Sequence, residues 1–391
     1  MSKVLFLNIP HHGHINPTLG LVEELSRRGE VVVYFSTEEF REKIEKAGGI
    51  FKELNKGIWD LKPIGYSSDS EEIVQFFNKA LESIEPIIKY ILEQIGDIKF
   101  DYMVYGSSLY YGSILAQILK IPSVSSFAIM AEPEALLKGY SKTNNNKVSE
   151  CLIFDKILAR IKQLNDINIP SLKEMFFSKG DLNIFYTSPY FVPQSKFYEN
   201  NSVFIRPPFD IKQDVPAFPF VKLVGHKVIY ISLGTVYNSF DAVLPDIFFK
   251  AFADTDAVIV MTSYNQDISS LNVPDNFIVR NFVPQSEVLK YADAAVIHAG
   301  MNTTNDMFYN NVPFVCIPLG LDQYFMAQRS VELGAAIYLD KNALTPEILR
   351  KSTFKVMTDN SYRTNISKIR ESFFKCEGYS GAVDEILKVI I

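Results

Sequence analysis

Residues 282–323 read FVPQSEVLKYADAAVIHAGMNTTNDMFYNNVPFVCIPLGLDQ. Two short apolar runs, Ala294–Ile297 and Phe314–Ile317, each end in a polar cluster. The first passes into His298-Ala299-Gly300 and then into polar, helix-forming residues. The second stops at Pro318-Leu319-Gly320, with Asp322-Gln323 just beyond. Runs this short and this apolar suit strands buried on both faces of a parallel sheet. Open α/β sheets hold their ligands beyond the carboxyl ends of the strands. A helix starting there offers N–H groups and a partial positive charge. The stretch therefore predicts one wall of a ligand site suited to an anion.

The same alternation extends outward in both directions. Val228–Ser232, Ala257–Met261 and Phe277–Asn281 precede the quoted stretch as further strands. Near the N-terminus, Val4–Ile9, Val31–Ser36, Tyr102–Tyr105 and Val124–Phe127 read as strands. A helix capped by Asn16 with Pro17 at its first position, closed by Gly29, lies between the first two. Further helices are expected over Glu38–Ala47 and about Tyr111–Leu119. Lys138 to Ser149, with three consecutive asparagines, reads as an exposed loop, and helical periodicity resumes at Leu152–Leu164. Pro207-Pro208, Pro216 and Pro219 interrupt the pattern between two α/β halves and mark a linker. The expected domains are 1–210 and 223–380, with a last helix at about 381–391.

The bulk numbers fit this plan. A chain of 391 residues with 47% hydrophobic content can fill two cores. A net charge of −6 offers no electrostatic case for nucleic acid. Cys151, Cys316 and Cys376 are odd in number and far apart, so no disulfide framework is expected and a reducing, cytoplasmic setting is the default. Cys316, inside an apolar run, reads as a small core residue. The apolar run before Asn8 and Pro10 is too short for a signal-peptide core, and no later run spans a bilayer.

The order Pro284-Gln285, His298, Gly300, Asn302-Thr303, Val312-Pro313, Pro318 and Asp322-Gln323 resembles the donor-sugar signature of GT-B glycosyltransferases, in particular the bacterial macrolide-glycosyltransferase-like family. A second match, His12-Gly13-His14-Ile15-Asn16-Pro17, lies nearly the length of the chain away. The resemblance implies two Rossmann-like domains facing across a cleft. The first would bind the acceptor, the second the nucleotide sugar, and the C-terminal helix would pack back on the first. It also implies inverting, metal-independent transfer of a hexose from a UDP-sugar, or a dTDP-sugar, to a small lipophilic acceptor such as a phenolic, flavonoid or macrolide. No cofactor, nucleic-acid partner or membrane insertion is expected. The alternative is a binding or accessory protein of the same fold with little transfer activity.

Sugar transfer to a hydroxyl needs a base as the anomeric carbon is attacked, and an imidazole suits that work. In the resembled family this role falls to the histidine corresponding to His14. His11-His12-Gly13-His14 lacks a second ligand set and an accompanying carboxylate or thiolate, so a metal site is not expected there. His298, Gly300, Asn302 and Thr303 are the candidates for the donor diphosphate. Ser232, Gly234 and Thr235 resemble the family's Ser-(Leu/Phe)-Gly-(Ser/Thr) turn beside it. Phe282 matches the position that stacks on the base and Val283 the one that offers its backbone. Gln285 belongs to the same signature. Asp322 and Gln323 match the pair that binds sugar hydroxyls.

Two departures carry consequences. Gly106 stands where the family places an aspartate that orients and charges the catalytic imidazole. Asp101 lies at the wrong end of the strand to replace it, and Ser107 or Ser108 would supply only a hydroxyl. Asp306 stands where the family has a glutamate on the ribose, one methylene longer. Arg206 and Asn311 replace glycines without threatening the fold; asparagine tolerates the left-handed conformation. Trp59, Phe76, Phe77, Tyr110, Phe127 and Met130 are available for an acceptor pocket, though any one of them is more often a core residue.

Overall fold

A computed structural model describes residues 1–54, 70–129, 167, 171–175, 177–193, 196–198, 201–209, 217–234, 243–263, 272–320 and 322–390. The chain divides into two compact units: Met1–Tyr186 with Gln194–Arg206 and Cys376–Ile391, and Pro207–Lys375 with Thr187–Pro193. The sequence reading put 187–193 in the first half; the structure groups that segment with the second. The expected loop after Lys138 and helix at Leu152–Leu164 lie outside the described residues, as does Cys151.

The first unit holds seven parallel strands: β1 (Lys3–Leu7), β2 (Val31–Ser36), β3 (Ile50–Glu53), β4 (Tyr102–Gly106), β5 (Ser123–Phe127), β6 (Leu182–Phe185) and β7 (Ser202–Phe204). Their order is β3-β2-β1-β4-β5-β6-β7. The chain direction of the order reverses between β1 and β4, where Val4 pairs with Tyr102 and Leu7 with Tyr105. Such a switch point is where ligands settle in doubly wound sheets. Helices α1 (His12–Arg27), α2 (Arg41–Lys46), α3 (Ser70–Ile95), α4 (Gly112–Leu119) and α5 (Leu172–Met175) connect the strands.

Helix α1 starts earlier than the sequence predicts. His11 is its extended N-cap residue, and Pro17 lies inside it. A proline there removes one ladder N–H. Burial of Ile15, Leu21, Val22 and Leu25 holds the helix regardless, each large aliphatic contributing about 1.5–3 kcal/mol. The 26-residue α3 is absent from the sequence-based expectation. Ala80, Ile84, Ile87, Ile88, Ile91 and Ile95 form its buried stripe, packed in one core with Leu5, Leu7 and Leu109.

The second unit repeats the same order with six parallel strands, β10-β9-β8-β11-β12-β13. They are β8 (Val228–Ser232), β9 (Val258–Thr262), β10 (Phe277–Arg280), β11 (Ala294–Ile297), β12 (Phe314–Cys316) and β13 (Ala336–Tyr338). Its switch point falls between β8 and β11. The helices are α6 (Val243–Phe252), α7 (Gln285–Val288), α8 (Met301–Tyr309), α9 (Asp322–Glu332), α10 (Pro346–Thr358) and α11 (Asn360–Phe374). Ile229, Ile231, Val296, Val315 and Phe248 lie in its core. Cys316 is a buried free thiol in β12, raised by desolvation.

The last helix, α12 (Tyr379–Ile390), belongs to the first unit. The Tyr379 hydroxyl donates to the Pro17 carbonyl at 2.7 Å, and Arg28 reaches Ser380 Oγ at 2.8 Å and Asp384 at 3.0 Å. Among the described residues no helix is long and apolar enough to cross a membrane.

Candidate functional site

In the second unit, β8 and β11 lie side by side with Ile297 level with Ser232. Immediately beyond them come Leu233-Gly234 and His298-Ala299-Gly300. The His298 main-chain N–H donates to the Ser232 carbonyl at 3.3 Å. Ala299 is left-handed, φ +63°, which costs a residue with a Cβ roughly 1–2 kcal/mol. That single residue turns the chain from strand into helix. The imidazole of His298, 9% exposed, then lies over two glycines. A methyl group on Gly234 would come within 2.6 Å of Nε2, and one on Gly300 would overlap the ring. Gly234 is also left-handed, φ +83°.

His298 Nδ1 has no hydrogen-bond partner among the described residues. Leaving a buried polar atom unpaired costs about 1–3 kcal/mol. Burial pushes the ring down to about 4, with the Ser232 carbonyl pulling the other way, so it is neutral at neutral pH. Helix α8 begins one residue after Gly300, and no side chain among the described residues caps it. Asn302 and Thr303 stand half-buried in its first turn. A neutral imidazole and a helix N-terminus without a side-chain cap, on one turn, are suited to a phosphate group.

One turn along α8 stands Asp306, which accepts from Gln285 Nε2 at 2.5 Å. Gln285 Oε1 in turn accepts from the Tyr230 hydroxyl at 2.8 Å. Burial pushes the Asp306 carboxyl up to about 7, and the Gln285 hydrogen bond opposes that rise. Phe282 is half exposed, so it is not a core residue, whereas Val283 beside it is buried. Asp322 opens α9, and its carboxyl is also pushed up to about 7 by burial, against its own main-chain N–H. Gln323 is buried and spends Oε1 on the Leu319 N–H at 2.7 Å, which braces the turn and leaves its amide NH₂ to donate. Thr235 lies outside the described residues.

In the first unit, β1 ends at Leu7 and His14 sits in the first turn of α1. Burial first, then the neighbouring His11, push its ring down to about 3. No carboxylate acts on it among the described residues. Asp101 is occupied at the far end of the sheet, accepting from the Lys3 N–H at 2.6 Å. Glu39 pairs with His12 at 3.1 Å rather than with His14. Ser108 Oγ is buried, Ser107 is buried, and among the described residues Ser108 Oγ has no partner and neither serine bonds the imidazole.

Gly106 ends β4 beside Asn8. A Cβ built on Gly106 would overlap Asn8 Oδ1. Asn8 is fully buried; its Nδ2 donates to the His14 carbonyl at 2.8 Å, and its Oδ1 accepts from the Ile9 N–H at 2.9 Å. The position that looks vacant in the sequence is therefore filled from the neighbouring strand. Strand β1 ends at Leu7, two residues short of the expected Ile9.

Of the acceptor-pocket aromatics, Phe127 is a core residue stacked on Phe185 at 4.3 Å, and Tyr110 is buried with its hydroxyl on Ser83 at 2.7 Å. Trp59 and Met130 lie outside the described residues, as do the side chains of Phe76 and Phe77. Sequence reasoning missed Asn8, Tyr230 and the left-handed Ala299. Only Asn8, a polar residue closing an apolar run beside a candidate histidine, carried a signal.

The C-terminal-domain model of erythromycin biosynthesis protein CIII-like proteins matches residues 246–376. Over 99% of both chains, the protein is 32% identical to the uncharacterized UDP-glucosyltransferase YdhE of Bacillus subtilis. It is 27% identical to the NDP-glycosyltransferase YjiC of the same species, over 98% of this chain and 96% of that one. The fold matches the calicheamicin glycosyltransferase CalG4 with a TM-score of 0.82 at 22% identity, covering 100% and 98% of the two chains.

Proposed function

Because this chain belongs to the macrolide-glycosyltransferase-like family of GT-B, nucleotide-sugar-dependent glycosyltransferases, we propose that it moves a hexose, glucose first, from a UDP-sugar to a small lipophilic acceptor, with inversion and without a metal ion. The observation that carries the reading is His298. Its unpartnered Nδ1 lies in a neutral ring over two glycines, at the start of a helix that no side chain caps. These groups supply hydrogen bonds and dipole where the leaving diphosphate gathers charge, a task otherwise given to a cation. Phe282, exposed beside buried Val283, offers a face for the nucleobase. Asp322 and the amide of Gln323 offer an acceptor and a donor for sugar hydroxyls.

His14 is neutral and serves as the base. With no carboxylate among the described residues to support it, and with burial and His11 lowering its pKa, it holds its protonated form poorly, whereas the best catalytic base has a pKa near the working pH. The acceptor hydroxyl must therefore part with its proton easily, which favours phenols over aliphatic alcohols. The test is transfer from UDP-glucose to a panel of phenols, flavonoids, macrolides and aliphatic alcohols, read by mass spectrometry. Glucosides of the phenolic members are expected. Intact UDP binding with no product from any acceptor would overturn the reading.

A further inference from the structure

Helix α1 carries His14 in its first turn, and that turn lacks the usual supports. Its N-cap residue, His11, makes no side-chain cap bond, and no acidic residue stands in the first turn. Pro17 removes the ladder N–H that would reach the Gly13 carbonyl. Helix ends built this way fray. Two side-chain bonds brace the turn instead. Asn8, the residue after β1, donates from Nδ2 to the His14 carbonyl at 2.8 Å. Thr18 Oγ1 donates to the Ile15 carbonyl at 2.7 Å; its one proton is spent there, so it accepts from the Tyr34 hydroxyl of β2 at 3.0 Å.

Asn8 is the more telling of the two. It is fully buried at the end of an apolar strand, where an aliphatic side chain would carry no desolvation cost. Both ends of its amide are given to main chain: Oδ1 to the Ile9 N–H at 2.9 Å and Nδ2 to His14. The bond to Ile9 fixes the orientation of the amide, so the donor faces α1. The His14 carbonyl carbon is bonded to the Cα that bears the imidazole, so holding that carbonyl sets the direction in which the ring leaves the helix. We propose that Asn8 is a positioning residue, which holds the first turn of α1 through the His14 main chain and so aims the imidazole at the acceptor hydroxyl. The inference rests on the reading of His14 as the base and adds what keeps that base in place.

The experiment is a double-mutant cycle on transfer from UDP-glucose to a phenol, with the parent, Asn8→Ala, His14→Ala and the pair. Thermal melts and calorimetry with UDP run alongside. Asn8→Ala is expected to lower kcat by roughly ten- to hundredfold, the cost of a slightly misplaced reacting group. The KM for UDP-glucose should stay within about twofold of the parental value. In the His14→Ala background the same change should alter the residual rate by less than about twofold, because no imidazole remains to be aimed. An equal loss in both backgrounds would overturn the proposal, since that marks a general structural defect. So would a parental kcat in Asn8→Ala.

Asn8→Asp carries the test if the alanine variant does not fold. A protonated carboxyl of the same shape donates to the His14 carbonyl, and a carboxylate cannot. Its rate relative to the parent should therefore rise as pH falls from about 8 to about 5, the range in which a buried carboxyl gains its proton. Tyr34, which faces residue 8 from β2, is raised well above neutral by burial and keeps its proton throughout. On β4 the neighbour is Gly106, which does not titrate. On α1, His11 acts on His14 in both proteins and so cancels in the ratio. A flat ratio would overturn the proposal, and so would one that rises with pH, which would mark a carboxylate acting on the ring itself. If His14→Ala transfers at the parental rate, the base reading fails instead, and this inference with it.

Discussion

The two units share one strand order, yet their switch points are furnished differently. In the second, the ends of β8 and β11 carry glycines that accept the His298 ring, an unpartnered nitrogen and a helix start without a side-chain cap. In the first, the ends of β1 and β4 carry Asn8 and Gly106, and the asparagine fills the space that a side chain on residue 106 would need. Among the described residues His14 has a main-chain tether and no charged partner. A helix start with a buried, unpaired nitrogen is a binding surface for charge. A neutral histidine held by its backbone is a weak base whose power depends on the acceptor. Under the proposed reading the same scaffold carries an anion site in one half and a sparsely supported base in the other.

The sharpest way to test that contrast is to remove the base. His14→Ala should lower turnover by roughly two to four orders of magnitude while leaving UDP affinity nearly intact, since His14 and the anion site lie in different units. Steady-state rates and calorimetry on one preparation check both halves of the statement. Parental turnover on a phenol would show that its proton leaves without help.

The converse variant is His298→Ala. It should weaken UDP binding by about 1.5–3 kcal/mol, the range for hydrogen bonds to a charged group. Gly300→Ala should do much the same without touching the imidazole chemistry, because the added methyl displaces the ring. Calorimetry with UDP distinguishes them from a fold defect if their melts match the parent.

Gly106→Asp probes the other switch point. Asn8 Oδ1 must leave the Ile9 N–H to admit the new Cβ, and a carboxylate enters a buried setting, so stability should fall by about 1–2 kcal/mol. If the carboxylate reaches His14, transfer to an alcohol should rise more than transfer to a phenol. Chemical denaturation and paired rates read both effects; unchanged stability would mean that Asn8 turns aside freely.

The smallest effect concerns acid. His14 and His298 have lowered values near 3 and 4, so the unfolded chain takes up protons first and stability is lost as pH falls below about 6.5. Asp306 and Asp322 act oppositely. Their carboxyls, raised to about 7, keep protons that the unfolded chain has shed, so their contribution is full below about pH 4 and is lost as pH rises toward 7. Asp306→Asn with Asp322→Asn should remove that offset, roughly 1 kcal/mol per site after partial solvent screening, and steepen the acid loss. Urea denaturation between pH 4 and 8 measures the slope.

The sequence by itself determined the parallel α/β halves and the makeup of the anion wall. Strand, turn and helix start are contiguous there, from Ala294 to Thr303, so local rules reach the whole motif. It also marked Gly106 as unusual and allowed Asn311 its left-handed conformation, which the structure bears out at φ +54°. Only the tertiary structure decided what stands beside Gly106. Asn8 is nearly a hundred residues away in sequence, and the pairing of β1 with β4 alone brings the two together. The Tyr230–Gln285–Asp306 chain is hidden for the same reason, because its members sit on three separate elements and each is ordinary in its own window. Phe127 and Tyr110 needed the structure too, since an aromatic in a strand or a turn reads alike whether it meets a ligand or a core. Covalent neighbours constrain backbone and helix ends; partners for buried polar atoms are chosen by packing, and packing is not local.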